Sequence, residues 1–404
     1  MDRPLTATTR CDVAVVGAGP GGSAAAFFLA RAGLDVLLLD RATFPRDKTC
    51  GDGLTPQATA IAAEMGALDE LLASGHRVTE FEVVAPGGRT VSTPIPSRAG
   101  AVALVVPRLV MDDVLRRRAV AAGARFEGGV DVAQLSVDGA GVRVLGRRSK
   151  EPLEVRATLV LVATGANMGL LERAGLLPRR PRVAVAARAY LEAAAPADRR
   201  LSLRFDGVPL PGYGWVFPLS PTTVNVGAGY LRRPGSASAP RALEGFLATP
   251  RIQSALDGAR QVGPTKSFPI RTDFATAPTY GRRVLLVGEA AGLVNPLSGE
   301  GIHYAMESGR LASECVVRML ERGDFSAALH AEYDQSLRQR FQDVFETCVL
   351  FRDLFMRRVA LDALAWLGAH RRGLGSRLAD LVLEDHRNSE HRTAFGRVRS
   401  WILG

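Results

Sequence analysis

Gly17-Ala18-Gly19-Pro20-Gly21-Gly22 places three glycines at GxGxxG spacing directly after an apolar run, Asp12 to Val16. That spacing suits a dinucleotide. Gly17 allows a tight turn, Gly19 lets the backbone approach a diphosphate, and Gly22 permits close packing of helix on strand. The helix that follows points its N-terminal N–H groups at the diphosphate. Asp40, at the end of the next apolar run, is placed to hold the ribose hydroxyls, with Arg41 beside it on the nucleotide side. The motif serves NAD and FAD alike, so it specifies a nucleotide and not a reaction.

A second glycine-rich turn, Gly288-Glu289-Ala290-Ala291-Gly292 and then Asn295-Pro296-Leu297-Ser298-Gly299-Glu300-Gly301, follows the apolar run Arg283 to Val287 and opens a long helical period at Ile302. It resembles the GDAAG…P..G.G segment of flavoproteins similar to para-hydroxybenzoate hydroxylase. The resemblance implies bound FAD, with Gly288 and Glu289 near the ribityl chain and Pro296, Gly299 and Gly301 beside the isoalloxazine ring. The dipole of the Ile302 helix would favour negative charge on the N1/O2 edge of the reduced ring. Glu289 stands where that family has Asp, and Thr164 replaces Asp in the segment Leu161 to Ala166. Arg108 resembles the family's arginine that approaches the flavin side of the nucleotide.

Two further motifs narrow the resemblance. Pro45-Arg46-Asp47-Lys48-Thr49-Cys50-Gly51-Asp52-Gly53-Leu54 resembles the PRxKxCGGGL segment of geranylgeranyl reductases, including reductases of the menaquinone isoprenoid tail. Tyr213-Gly214-Trp215-Val216-Phe217-Pro218 is similar to their YxWxFP hallmark, with Leu219 where a Lys often follows. The resemblance implies reduction of carbon–carbon double bonds of an isoprenoid or similarly apolar substrate by hydride from reduced flavin. Cys50, Tyr213 and Trp215 are its catalytic candidates. Cys50 is a proton donor, a substrate-placing thiol or a small buried hydrophobe. Tyr213 and Trp215 share one strand face and wall an apolar pocket or pack on core. The alternatives are a flavin monooxygenase or halogenase of the same fold, or a flavin-binding module without turnover. Gly212 to Pro218 is near the halogenase pattern GWxWxIP but departs from it at Tyr213 and Phe217. No second GxGxxG occurs, so NAD(P)H or another electron donor is expected to bind transiently.

The elements that position these residues read as α/β: a Rossmann-type FAD-binding domain with a β-sheet substrate domain and a C-terminal helical region. The expected division is 1–78, 100–180 and 270–325 for the FAD-binding domain, 79–99 and 181–269 for the β-rich substrate domain, and 326–404 for the helices. Strands are expected at Leu34–Leu39, Thr79–Ala85, Arg89–Ile95 and Ala157–Ala163. Hairpins are expected at Val130–Leu145 and Gly214–Ala228, and helices at Gly22–Ala32, Val110–Ala122, Pro240–Leu247 and Ile302–Glu321.

The 404 residues carry a net charge of +10, with Arg spread along the chain and no nucleic-acid module, so no nucleic acid is expected. Four separated cysteines and no CxxC exclude a zinc cage. His386, Glu390 and His391 are the one histidine cluster, and no metal is expected. No GxSxG or HExxH points to a hydrolase. The absence of a signal-peptide pattern and of a long apolar run leads to a cytoplasmic expectation. The apolar Val349-Leu350-Phe351 and Leu354-Phe355-Met356, flanked by Arg352, Arg357, Arg358, Arg371 and Arg372, add an expected peripheral contact with the inner face of a membrane. Nothing in the sequence sets the oligomeric state.

Overall fold

The structure, a computed structural model, describes residues 9–95, 101–192 and 199–370. Its centre is a parallel sheet whose strands lie in the order Arg125–Gly128, Val36–Asp40, Thr9–Val16, Glu151–Val162, Val284–Leu286. Numbered along the chain this is 3-2-1-4-5, the doubly wound nucleotide-binding order. Val36 to Leu39 and Val284 to Leu286 are buried throughout. Strands covered on both faces need apolar residues at every position, which is why these read as unbroken runs. The expected hairpin is present as Val130–Val137 and Val142–Arg148, and its second strand pairs with Glu151–Val162.

The first helix runs Pro20–Arg31, beginning two residues before the expected Gly22. Proline has no N–H to lose, and its fixed φ suits the first helical position. Helix Ile302–Arg322 packs against it. Helix Arg108–Ala121 also begins two residues before the expected Val110. The main core surrounds the parallel sheet.

A second sheet has seven strands in the order Arg260–Arg271, Val183–Glu192, Thr223–Leu231, Gly212–Pro218, Arg200–Arg204, Glu80–Val84, Thr90–Pro94. All pairs are antiparallel except Arg200–Arg204 with Glu80–Val84. Three short strands, Gly53–Leu54, Ala103–Val105 and His76–Val78, form a third sheet. Two helices not anticipated from the sequence follow Leu54, at Pro56–Glu64 and Leu68–Ser74.

Helices Ala327–Phe355 and Arg358–His370 complete the described chain. A small apolar cluster of Cys348, Phe351, Met356 and Leu364 packs around Leu297, which seats them on the second glycine-rich turn. Arg371, Arg372, His386, Glu390 and His391 lie outside the described residues.

Candidate active site

A cavity of about 620 Å³ is lined from both large sheets, and every residue proposed above for cofactor or catalysis except Gly22 lines it. At one end is the first glycine turn. Gly17 has φ +107°, and a Cβ there would lie 2.3 Å from the Ala163 carbonyl oxygen, so no other residue fits. Gly22 lies behind the turn, where a Cβ would come within 1.7 Å of the Gly17 carbonyl oxygen. Gly19 differs: the nearest atom to a Cβ is Nη2 of Arg46, at 3.6 Å, so its face is open to the cavity. No acidic residue sits in the first turn of helix Pro20–Arg31 to offset its positive end.

Asp40 is buried and ties two turns together, accepting the Ala18 N–H on Oδ2 at 2.7 Å and the Ala42 N–H on Oδ1 at 2.8 Å. Arg41, exposed, lines the same end. Arg108 is a buried residue, not a surface one; its Nε and Nη2 donate to the two oxygens of Asp112, each at 2.7 Å. Arg46 joins that carboxylate at 2.7 Å. Asp112 thus holds two guanidinium groups at the cavity wall, the more rigid because the Arg108 pair is bidentate.

At the other end Asn295 shapes the second turn. Its side-chain oxygen accepts the N–H groups of Leu297 and Ser298 at 2.8 and 3.0 Å, and its own N–H reaches the Glu300 carbonyl at 2.8 Å. The turn passes through Gly299 at φ +68° and ends on Gly301, which caps helix Ile302–Arg322. The Glu289 carboxylate accepts the Arg271 N–H at 3.1 Å and pairs with Lys48 at 3.3 Å. Thr164, at the Asp-to-Thr departure, donates to the Asn167 carbonyl at 3.2 Å.

These features fit FAD. An open glycine face and a helix N-terminus with Arg46 alongside suit a diphosphate. A second helix N-terminus behind a glycine turn suits the ring. The cavity joins the two.

The wall opposite is the Gly212–Pro218 strand. Tyr213, Trp215 and Phe217 alternate onto one face, with ring centroids 6.1 and 6.4 Å apart. Trp215 has room because Gly227 faces it, where a Cβ would stand 2.0 Å from the indole. The Tyr213 hydroxyl donates to the Ser298 carbonyl. Burial raises its pKa, and Cys50 and Glu300 add to the rise.

Cys50 is half-buried and free. Burial raises its thiol pKa, and the Arg108 guanidinium only partly opposes this, so the thiol keeps its proton. The loop after it packs on the wall: a Cβ on Gly51 would lie 3.1 Å from the Phe217 ring and 3.4 Å from the Trp215 nitrogen.

The sequence did not reveal the group that joins these parts. Asn225, fully buried, accepts the Trp215 indole N–H at 2.9 Å. Its amide nitrogen donates to the Cys50 carbonyl and to Asp52 Oδ2, both at 2.8 Å. Asp52, also fully buried, receives the Tyr190 hydroxyl at 2.7 Å. Burial raises the Asp52 carboxyl to about 6, against the lowering pull of Tyr190, Asn225 and the nearby arginines. Arg188 stacks over Tyr190, 3.9 Å from the ring centroid, and binds Asp47 at 2.6 Å. Burial alone would raise Asp47; Lys266 at 2.6 Å and Arg188 outweigh it and hold the carboxyl below the usual range. The only local hint was Asp52 itself, in a motif position where glycine is usual.

Residues 10–188 match the family described as FAD binding domain. The chain is 40% identical over 320 residues to menaquinone reductase of Mycobacterium tuberculosis, covering 75% of this chain and 76% of that protein. It is 33% identical over 359 residues to digeranylgeranylglycerophospholipid reductase 1 of Methanopyrus kandleri, covering 83% and 88%. Among solved structures, the geranylgeranyl bacteriochlorophyll reductase-like protein of Thermoplasma acidophilum matches with TM-score 0.80 and 21% identity, over 98% of this chain and all of that one (100%). The flavin-dependent brominase Bmp2 also has TM-score 0.80, at 20% identity and 98% coverage of each chain, so this likeness concerns the fold alone. Motifs, fold and relatives agree: the chain belongs to the geranylgeranyl reductase family of FAD-dependent oxidoreductases.

Proposed function

We propose that the enzyme reduces carbon–carbon double bonds of an isoprenoid chain. One observation carries the reading: the aromatic row Tyr213, Trp215, Phe217 and the protonated Cys50 thiol line the same cavity as the second glycine turn. The relatives named for menaquinone, digeranylgeranylglycerophospholipid and geranylgeranyl diphosphate reduction support an isoprenoid as substrate.

Bound and reduced, FAD supplies the hydride. The chain's residues do the rest. Phe81, Leu201, Leu203, Trp215 and Phe217 give the cavity an apolar wall that excludes water and aligns an alkene, which polarises too weakly for acid–base force alone. Cys50 Sγ holds a proton for the second carbon. Its thiolate, once formed, faces the Arg108 guanidinium, which favours that charge. The Tyr213 hydroxyl, committed to the Ser298 carbonyl, acts in placement. Lys48 and Arg271 hold Glu289 at the cavity wall, where it would meet the ribityl chain of bound FAD. The seven-stranded sheet is the substrate half and the parallel sheet the cofactor half. The electron donor, NAD(P)H or another carrier, binds transiently.

The test is anaerobic. The flavin is reduced with dithionite or light and mixed with menaquinone or a geranylgeranyl lipid. Flavin reoxidation, with product that stays heavier by two hydrogens per reduced double bond after any quinol has been reoxidised in air, is the expected result. Failure on all such lipids, with an oxygen-dependent product on an aromatic partner, would replace the reading with an oxygenase.

A further inference from the structure

A second cavity, of about 460 Å³, adjoins the first, and Pro211, Arg352 and Met356 line both. Arg233, Arg352, Arg357 and Arg358 line it against one acidic residue, Asp353. Arg352 is paired with Asp353 at 2.8 Å. Among the described residues, Arg233, Arg357 and Arg358 meet no carboxylate within ion-pair distance. The cavity sits where helix Ala327–Phe355 ends and helix Arg358–His370 begins. These two helices also carry three of the exposed large apolar side chains: Leu354, Val359 at 81% exposure and Trp366 at 50%.

We infer that this face docks on an anionic lipid bilayer, and that the arginine-lined cavity is the portal through which an isoprenoid chain passes from the bilayer to the site. The inference rests on the isoprenoid reading above. Three observations carry it. The portal and the site share the wall residues Pro211, Arg352 and Met356, so the two cavities lie on opposite sides of the same few side chains. Unpaired arginines complement lipid phosphates and are drawn to an anionic surface. The exposed Val359, Leu354 and Trp366 suit the headgroup boundary, where an apolar face inserts and Trp is at home. The route also meets a physical need. Every methylene of a long isoprenoid adds to the cost of crossing water, so a mouth facing the bilayer spares the substrate that passage.

The test uses the full chain with FAD bound, and phosphatidylglycerol or phosphatidylcholine vesicles. The wild type is expected to float with the anionic vesicles at low salt and to be released as salt screens the arginines. The double variant Arg357→Glu/Arg358→Glu is expected to lose flotation. Its turnover of vesicle-embedded isoprenoid should fall at least about tenfold, because two charge reversals oppose binding. Its turnover of a short-chain, water-soluble isoprenoid should be unchanged. Wild type that does not float on anionic vesicles, a double variant that floats like wild type, or equal loss on both substrates would overturn the portal. Absence of turnover of the short isoprenoid by wild type would instead refute the isoprenoid reading, and flotation would still decide the docking.

Discussion

The Tyr213 hydroxyl donates to the Ser298 carbonyl and so ties the aromatic wall to the second glycine turn, two segments 85 residues apart. A hydroxyl committed to a carbonyl, with its pKa raised by burial, is a poor acid. Tyr213→Phe should therefore keep FAD and lower kcat by less than about tenfold. Loss of a general acid would remove about 10²–10⁴. Steady-state kinetics with flavin content measured alongside separates the two, and a fall of a thousandfold would restore Tyr213 as the proton source.

Cys50 is predicted to be that source. Burial raises its thiol pKa, so the proton stays on sulfur through neutral pH. Cys50→Ala should lower alkene turnover by about 10²-fold with unchanged FAD content. The wild-type rate should show no alkaline limb from Cys50 between pH 7 and 9. Full activity in the alanine variant would return Cys50 to packing.

Asp52 yields a stability prediction. Its folded pKa, about 6, lies above the unfolded carboxyl value of 3.8. Its contribution is fully present below pH 3.8 and is lost as pH rises through about 6, so at pH 8 the buried charge is a net cost. The shift corresponds to roughly 3 kcal/mol at most. Asp52→Asn keeps an oxygen to accept from Tyr190 and Asn225, and places its NH2 where Oδ1 has no hydrogen-bond partner among the described residues. The variant should melt higher than wild type at pH 8, with the gain shrinking toward pH 4. A lower melting temperature at pH 8 would show that the arginines nearby need the charge.

The second and third glycines of the first motif should fail differently. Gly19→Val places its side chain in the open cavity, 3.6 Å from Arg46 at the nearest. The protein should fold and bind FAD more than about 100-fold more weakly, since the branched side chain occupies the diphosphate's space. Gly22→Ala meets the Gly17 carbonyl oxygen at 1.7 Å and should lose the fold itself. Circular dichroism and flavin absorbance distinguish them; a yellow Gly19→Val protein would move the diphosphate elsewhere.

Local signals explain what was legible. Both glycine turns follow strands whose unbroken apolar runs mark a doubly buried sheet, and the hairpins carry turn residues between alternating segments. Helix Pro56–Glu64 carries a local start signal: Thr55 caps it by accepting the Ala58 N–H, and Pro56 occupies the first turn. The Asn225 group left no such trace. Its partners Cys50 and Asp52 lie 175 and 173 residues away, and no local pattern encodes a hydrogen bond across that span. The parallel pairing of Arg200–Arg204 with Glu80–Val84 was hidden for the same reason.

The parallel sheet takes its last strand from Val284–Leu286, and the first helix takes a main packing partner from Ile302–Arg322. This arrangement sets an order of assembly during synthesis. A nascent chain that has emerged only through Tyr280 already carries the first glycine turn, yet has neither the outer strand nor the second glycine turn. Domains made of contiguous segments can close as they leave the ribosome; this one cannot. A cofactor that needs both turns can load only once the final third of the polypeptide has arrived.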